Sequence, residues 1–284
     1  MKINSFSTDY PEFLKIIQTI ADPPKRLWYI GKLPENRAPT VAVVGTRKLS
    51  NYGREVAHHL CVELAKHGVI IVSGLALGID AIAHRAALEA GGTTIAIMPG
   101  GLDGIYPRMH TGLARDILQQ GGALISEYPP GMTPRKHHFI ARNRLVSGIS
   151  DALLVVEASA KSGTMHTASF ALDQGRTVMA VPGNITNPVS EGCNNLIKRG
   201  ALAVTSAQDI LDELGLFAPA QTRLPLGSTP QETAVLQLIL AGERNGDDLQ
   251  RLSGLAPPLF SQTLTMLEIS GTIRALGANR WALK

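Results

Sequence analysis

Residues 40–80 read TVAVVGTRKLSNYGREVAHHLCVELAKHGVIIVSGLALGID. Two continuous apolar runs, TVAVV at 40–44 and VIIV at 69–72, flank a helix-period segment that stops at Gly68. An apolar run that does not alternate with polar residues fits a strand buried on both faces. The same unit recurs along the chain. Runs at 94–98 (TIAIM), 123–126 (ALIS), 152–156 (ALLVV), 177–181 (TVMAV) and 201–205 (ALAVT) alternate with helical patterns at 51–67, 79–90, 110–120, 141–149, 164–174, 192–199 and 206–214. Many of these helices stop at glycine, the residue that tolerates a left-handed helix end. Repeated β–α units predict an α/β fold, a doubly wound and mostly parallel sheet with helices on both faces.

The flanks differ from this middle. Residues 1–36 carry Pro11, Pro23, Pro24 and Pro34 around one short apolar helix at 13–20, and read as a lead-in packed on the sheet edge. Residues 37–215 make the main domain. Residues 216–229 (LFAPAQTRLPLGST) read as a linker. Residues 230–284 predict three helices, at 231–240, 247–252 and 258–269. A hairpin follows, pairing 272–276 with 280–283, which is a winged-helix pattern. Its third helix, PPLFSQTLTMLEIS, contains no Lys or Arg. A DNA-reading helix needs cations to neutralise phosphates, so a protein-contact or regulatory role is expected here.

Composition narrows the class. The chain has 284 residues, 44% hydrophobic and 18% charged, with net charge +4. No apolar run approaches the ~18–20 residues of a membrane span, and no signal-peptide core is present. Two cysteines, Cys61 and Cys193, give neither a disulfide framework nor a cysteine metal site. A cytoplasmic protein without cofactor or metal is expected. The charge is uneven: residues 37–150 hold 12 basic and 7 acidic side chains, whereas 225–284 hold five of each.

In a parallel sheet, ligands bind beyond the carboxyl ends of the strands. Here those loops are rich in Gly, Ser and Thr, which suits backbone amides cradling an anion. No P-loop or G-x-G-x-x-G fingerprint occurs. Arg47 sits in the first strand-to-helix turn, where a bidentate phosphate contact is natural. Residues 128–150 contain no Asp or Glu but hold Arg135, Lys136, Arg142 and Arg144 around Phe139. Cations flanking an aromatic ring suit single-stranded nucleic acid, in which phosphates pair and a base stacks. Lys136 and Phe139 are the expected functional pair; Arg142 and Arg144 are divided between ligand contact and internal ion pairing. Asp80 is expected to cap the helix after 79, with His84 half-buried beside it. The histidines show no H-x-x-x-H spacing, and no nucleophile, base and orienter assemble, so no catalytic residue is assigned.

These motifs together resemble the DprA (Smf) DNA-processing proteins of bacteria. The matching stretches are VAVVGTR (41–47), VSGLALGIDAIAH (72–84), GLDGIYP (101–107), ISEYPPG (125–131), FIARNRLVSGIS (139–150), VVEASAKSGTMHTASFALDQGR (155–176) and GCNNLIKRGA (192–201). The resemblance implies an extended Rossmann-like fold with a C-terminal winged helix. It implies a homodimer that binds and protects single-stranded DNA and helps load the RecA recombinase during natural transformation. By motif, the implied DNA contacts are Arg47, Ser73, Gly74, Gly78, Lys136, Phe139, Arg142, Asn143, Ser162, Gly163 and Thr164. The dimer surface is expected at 196–214. Many relatives begin with a helical SAM-like domain, and 36 residues are too few for one. An alternative is a nucleoside-monophosphate phosphoribohydrolase-like enzyme, because Pro99-Gly100-Gly101 resembles its PGG loop, but the following catalytic acid is missing. A winged-helix transcription regulator is disfavoured by the neutral third helix.

Overall fold

All seven internal apolar runs become strands of one sheet. The computed structural model describes residues 2–7, 9–216 and 229–283. The chain forms two units, 1–216 and 217–284. The linker reading falls almost wholly on 217–228, outside the described residues.

In the first unit, β1 (Asn4–Phe6) and β2 (Leu27–Gly31) precede β3 (Thr40–Val44), α1 (Asn51–Lys66), β4 (Ile70–Ser73), α2 (Ile79–Glu89), β5 (Thr94–Met98), α3 (Thr111–Gln119) and β6 (Ala123–Ser126). There follow α4 (Lys136–Ile149), β7 (Ala152–Val155), α5 (Thr164–Asp173), β8 (Thr177–Ala180), α6 (Glu191–Lys198), β9 (Leu202–Ala203) and α7 (Ala207–Glu213). The strand order is β1-β2-β6-β5-β4-β3-β7-β8-β9. From β6 to β9 every pairing is parallel. Alternate residues of β3 serve opposite layers. Val41 and Val43 pack with α1, α2 and α7, while Ala42 and Val44 pack with α4, α5 and α6. The winding reverses at β3, which has β4 on one side and β7 on the other.

Two features of the lead-in were not expected. β2 pairs antiparallel with β6, and β1 antiparallel with β2, so the lead-in extends the sheet itself. The apolar helix is a 3-10 helix at Glu12–Thr19, which buries Phe13, Leu14 and Ile17. Helix α4 begins at Lys136 rather than near 141, which turns the end of an expected loop into helix. Both cysteines are free and buried.

The second unit contains α8 (Pro230–Leu240), α9 (Gly246–Ser253), α10 (Pro257–Ile269), β10 (Ile273–Gly277) and β11 (Arg280–Leu283). Val235, Leu236, Ile239, Leu249, Phe260, Leu264, Leu267 and Ile273 form its core. The β10–β11 turn runs through Ala278 and Asn279, both at positive φ, as a tight two-residue hairpin demands.

His84 of α2 is wholly buried, not half-buried as expected. Thr94 Oγ1 donates to Ile71 O at 2.7 Å and therefore accepts from His84 Nδ1–H, also at 2.7 Å. Nε2 is left as a bare buried acceptor with no partner among the described residues. Burial, with His110 and Arg142 nearby, pushes the imidazole down to about 3. The unfolded chain takes up this proton near 6.5 and the native state does not, so acid destabilises the fold. Unfolding free energy should therefore lose about 1.4 kcal/mol per pH unit from this group as pH falls from about 6.5 towards about 3. Denaturant titrations of wild type and His84→Asn across that range check this. The variant should show the shallower slope, and parallel slopes would contradict the assignment.

Candidate nucleic-acid interface

The reversal of winding at β3 opens a crevice between the loops after β3 and β7, where doubly wound folds bind ligands. A cleft of about 920 Å³ lies there. Its walls come from the β3 loop (Thr46, Arg47, Lys48), the α5 entry (Ser159, Ser162, Gly163, Thr164), α4 (Lys136, Phe139, Ile140, Arg142, Asn143) and Tyr106.

The early start of α4 matters here. On a helix, Lys136, Phe139 and Asn143 follow one another at i, i+3 and i+7 and share a face. In an extended loop they would not. The Phe139 ring lies under the Arg47 guanidinium at 5.6 Å. On another side, Tyr106 meets it edge-on at 5.3 Å between centroids. Arg47, Lys48 and Lys136 are exposed, and among the described residues none of them forms an ion pair. Ser162 and Thr164 bond to each other at the N-terminus of α5, whose positive dipole end faces the cleft.

Three expected contacts take another role. Ser73 is fully buried and donates its hydroxyl to Val43 O at 2.6 Å, away from the cleft. The amides of Gly74 and Ala76 do form a nest, but Asp80 already fills it: its Oδ2 accepts them at 3.1 and 3.3 Å. These two amides are therefore already taken by an internal anion. Asp80 is thus not the cap of α2; that position is Gly78. Gly78 has φ +84, and a Cβ on it would stand 2.1 Å from Thr46 O, so only glycine lets α2 support the Arg47 turn. None of Ser73, Gly74 and Gly78 lines the cleft.

Arg142 is a correction of a different kind. It reaches the cleft floor, but it is 4% exposed and donates inward to Gly74 O at 2.6 Å and to Ile97 O. A Cβ on Gly74 would come within 2.4 Å of the guanidinium, so the glycine makes room for the arginine. Burial holds this guanidinium down to about 10, with Asp80 opposing the shift and Arg47 adding to it. It stays cationic at neutral pH. Burial likewise raises the Asp80 carboxyl from its usual range, against the pull of Arg142 and the two amides. Arg144 is paired internally, to Asp22 at 2.9 Å and Glu127 at 2.7 Å.

Sequence reasoning missed Tyr106. It stands in GLDGIYP, which reads as a turn; an aromatic ring held at a turn by the following proline was the signal. A second crevice, of about 830 Å³ beside α1, sets Glu55 and Glu63 among Arg54, His58, His59 and Lys66, so it has no bias toward a polyanion. Among the described residues, no cluster of His, Cys, Asp and Glu could hold a metal ion.

Known proteins share this architecture. The model of the family described as DNA recombination-mediator protein A matches residues 2–215, and the DprA winged helix domain model matches 218–279. Protein Smf of Escherichia coli (strain K12) is 42% identical over 265 residues, covering 90% of this chain and 71% of the relative. The X-ray structure of DNA processing protein A from Streptococcus pneumoniae superposes with a TM-score of 0.69 at 41% identity, covering 75% of this chain and 74% of that one. DNA processing protein A from Helicobacter pylori, whose structure was described for its single-stranded DNA binding mode, gives 0.66 at 33% identity over 76% of this chain and 96% of that one. A doubly wound sheet reversing at β3, a basic aromatic cleft on its edge and a family model spanning the first unit converge: this chain belongs to the DNA recombination-mediator protein A family, the DprA or Smf DNA-processing proteins.

Proposed function

We propose that the protein binds single-stranded DNA in the cleft between the β3 and β7 loops, without sequence preference, and protects it. The observation that carries the reading is Phe139, framed by Arg47 and Tyr106 and flanked by Lys136 on the same helix face. An aromatic plate between unpaired cations matches what a strand offers, a base face between two phosphates. Asn143 supplies a polar contact from the same helix face, and Ser162, Gly163 and Thr164 supply others from the α5 entry. Ser73, Gly74, Gly78 and Arg142 act through the floor. The H. pylori relative supports this reading by its described single-strand binding.

The same reading makes the protein a binder, not an enzyme. Two carboxylates lie near the cleft, Asp80 and Glu157. Both are buried and held by loop N–H or O–H donors, which argues against an acid free for ribosyl chemistry.

Following the family, we extend the proposal to a cytoplasmic homodimer that helps load RecA on the strand in transformation and recombination. The edge beyond β9, where Leu202 is 38% exposed, belongs to the 196–214 region expected to pair. The second unit is assigned a protein contact. Its α10 exposes Leu259, Met266 and Ile269 and has no cation to meet a phosphate.

Fluorescence titrations against a dT oligonucleotide over a salt series test the binding. Arg47→Ala and Lys136→Ala should each weaken affinity and reduce the salt slope by about 0.7. Unchanged affinity in both would overturn the cleft. Phe139→Ala should cost about 1–3 kcal/mol with the slope unchanged. Ser73→Ala should bind as wild type does, because its hydroxyl faces the sheet; a loss on the scale of Lys136→Ala would return Ser73 to the interface. RecA filaments should form faster on a dT strand in the presence of wild type than of Lys136→Ala.

A further inference from the structure

We propose that Glu157 is the positioning residue of the cleft, clamping both ends of the loop that carries Arg47 and Lys48. The inference rests on the single-strand reading above and names what fixes that site.

Glu157 follows β7, on the far side of the winding reversal from the loop it holds, and is 1% exposed. Its carbonyl oxygen accepts the Thr46 N–H at 2.7 Å. Its Oε2 accepts the Ser50 N–H at 2.8 Å, and its Oε1 accepts the Ser50 hydroxyl at 2.6 Å. One residue therefore pins Thr46 and Ser50, the second and the last position of the six-residue loop 45–50, with Arg47 and Lys48 between the pins. The fit leaves no slack on the far side. A Cβ on Gly53 of α1 would stand 2.4 Å from Oε2.

A buried anion beside a polyanion site needs a reason. Through its field alone, the carboxylate would repel phosphate. Its donors show where the charge goes. They are the amide and hydroxyl of Ser50 at the N-terminus of α1, a 16-residue helix whose dipole favours an anion there. Among the described residues, the carboxylate pairs with no Lys or Arg. The loop is thus fastened without drawing on Arg47 or Lys48, which remain available to a strand. A clamp made from a salt bridge to either cation would have removed that cation from the interface.

The two possible roles of the charge predict opposite signs. A carboxylate acting only as a repulsive charge gives tighter DNA binding when neutralised; a clamp gives weaker binding. The experiment uses the full chain with Glu157→Ala and Glu157→Gln. It measures dT affinity, melting temperature and the rate of tryptic cleavage after Arg47 and Lys48. Glu157→Ala should weaken binding on the order of tenfold and speed cleavage at these two sites by a similar factor. Glu157→Gln, which keeps an acceptor for the Ser50 amide, should fall between Ala and wild type in both readouts. Binding as tight as wild type or tighter in either variant, or cleavage unchanged in Glu157→Ala, overturns the clamp. Should Glu157→Ala fail to fold, Ser50→Ala, which removes the hydroxyl's bond to Glu157 together with its cap on the Gly53 N–H, must shift both readouts the same way. If wild type fails to bind dT, the single-strand reading falls, and the cleavage rates still decide whether Glu157 holds the loop.

Discussion

The cleft floor depends on one buried pair of opposite charges. Asp80 fills the amide nest of the loop after β4, and Arg142 ties that loop to the end of β5. A lone buried carboxylate or guanidinium would be strongly unfavourable; each is tolerated because the other lies nearby and because backbone groups satisfy its remaining bonds. The site's open cations stand on this neutralised floor. Arg47 rests on a turn braced by Gly78, and Gly78 begins the helix that carries Asp80. The acid-free stretch 128–150 therefore divides its work. Lys136 faces out, Arg142 supports from below, and Arg144 fastens the helix to Asp22 and Glu127.

Most of the fold was legible because six strands, β3 to β8, are almost wholly buried on both faces and so write continuous apolar runs; β9 keeps an apolar run although its two residues are exposed. β1 left no such mark, and the run Leu27-Trp28-Tyr29-Ile30 of β2 stood without the β–α unit that marked the others. They lie at the antiparallel edge, and of β2 only Leu27 and Ile30 are buried. The start of α4 was hidden for a related reason: it opens on Lys136 and His137, polar and exposed, and on a polar though buried His138, so no apolar period announces it. Its helicity is decided by tertiary context, with His138 stacked on Tyr128 at 4.1 Å.

The candidate site was legible where chemistry is carried by residue type. Arg47, Lys136 and Phe139 line one cleft. It was illegible where one residue pre-empts another's role. The Gly74–Gly78 loop has the composition of an anion nest and is one, but its anion is Asp80, two residues past the last glycine. Sequence names the nest and not its occupant. Tyr106 and Glu157 were missed because their roles exist only across the fold, through contact with residues 33 and 107 positions away respectively.

The strand order has a consequence for synthesis. β3 is made early, yet one of its two neighbours, β7, comes about a hundred residues later. The Arg47 loop receives its fastening from that later half, and the cleft is closed only by the entry to α5. A growing chain on the ribosome thus carries the Arg47 and Lys48 loop unfastened until Glu157 has emerged. Nascent fragments ending before that point lack the α5 wall of the cleft, so the two sides of the cleft come from parts of the chain made well apart in time.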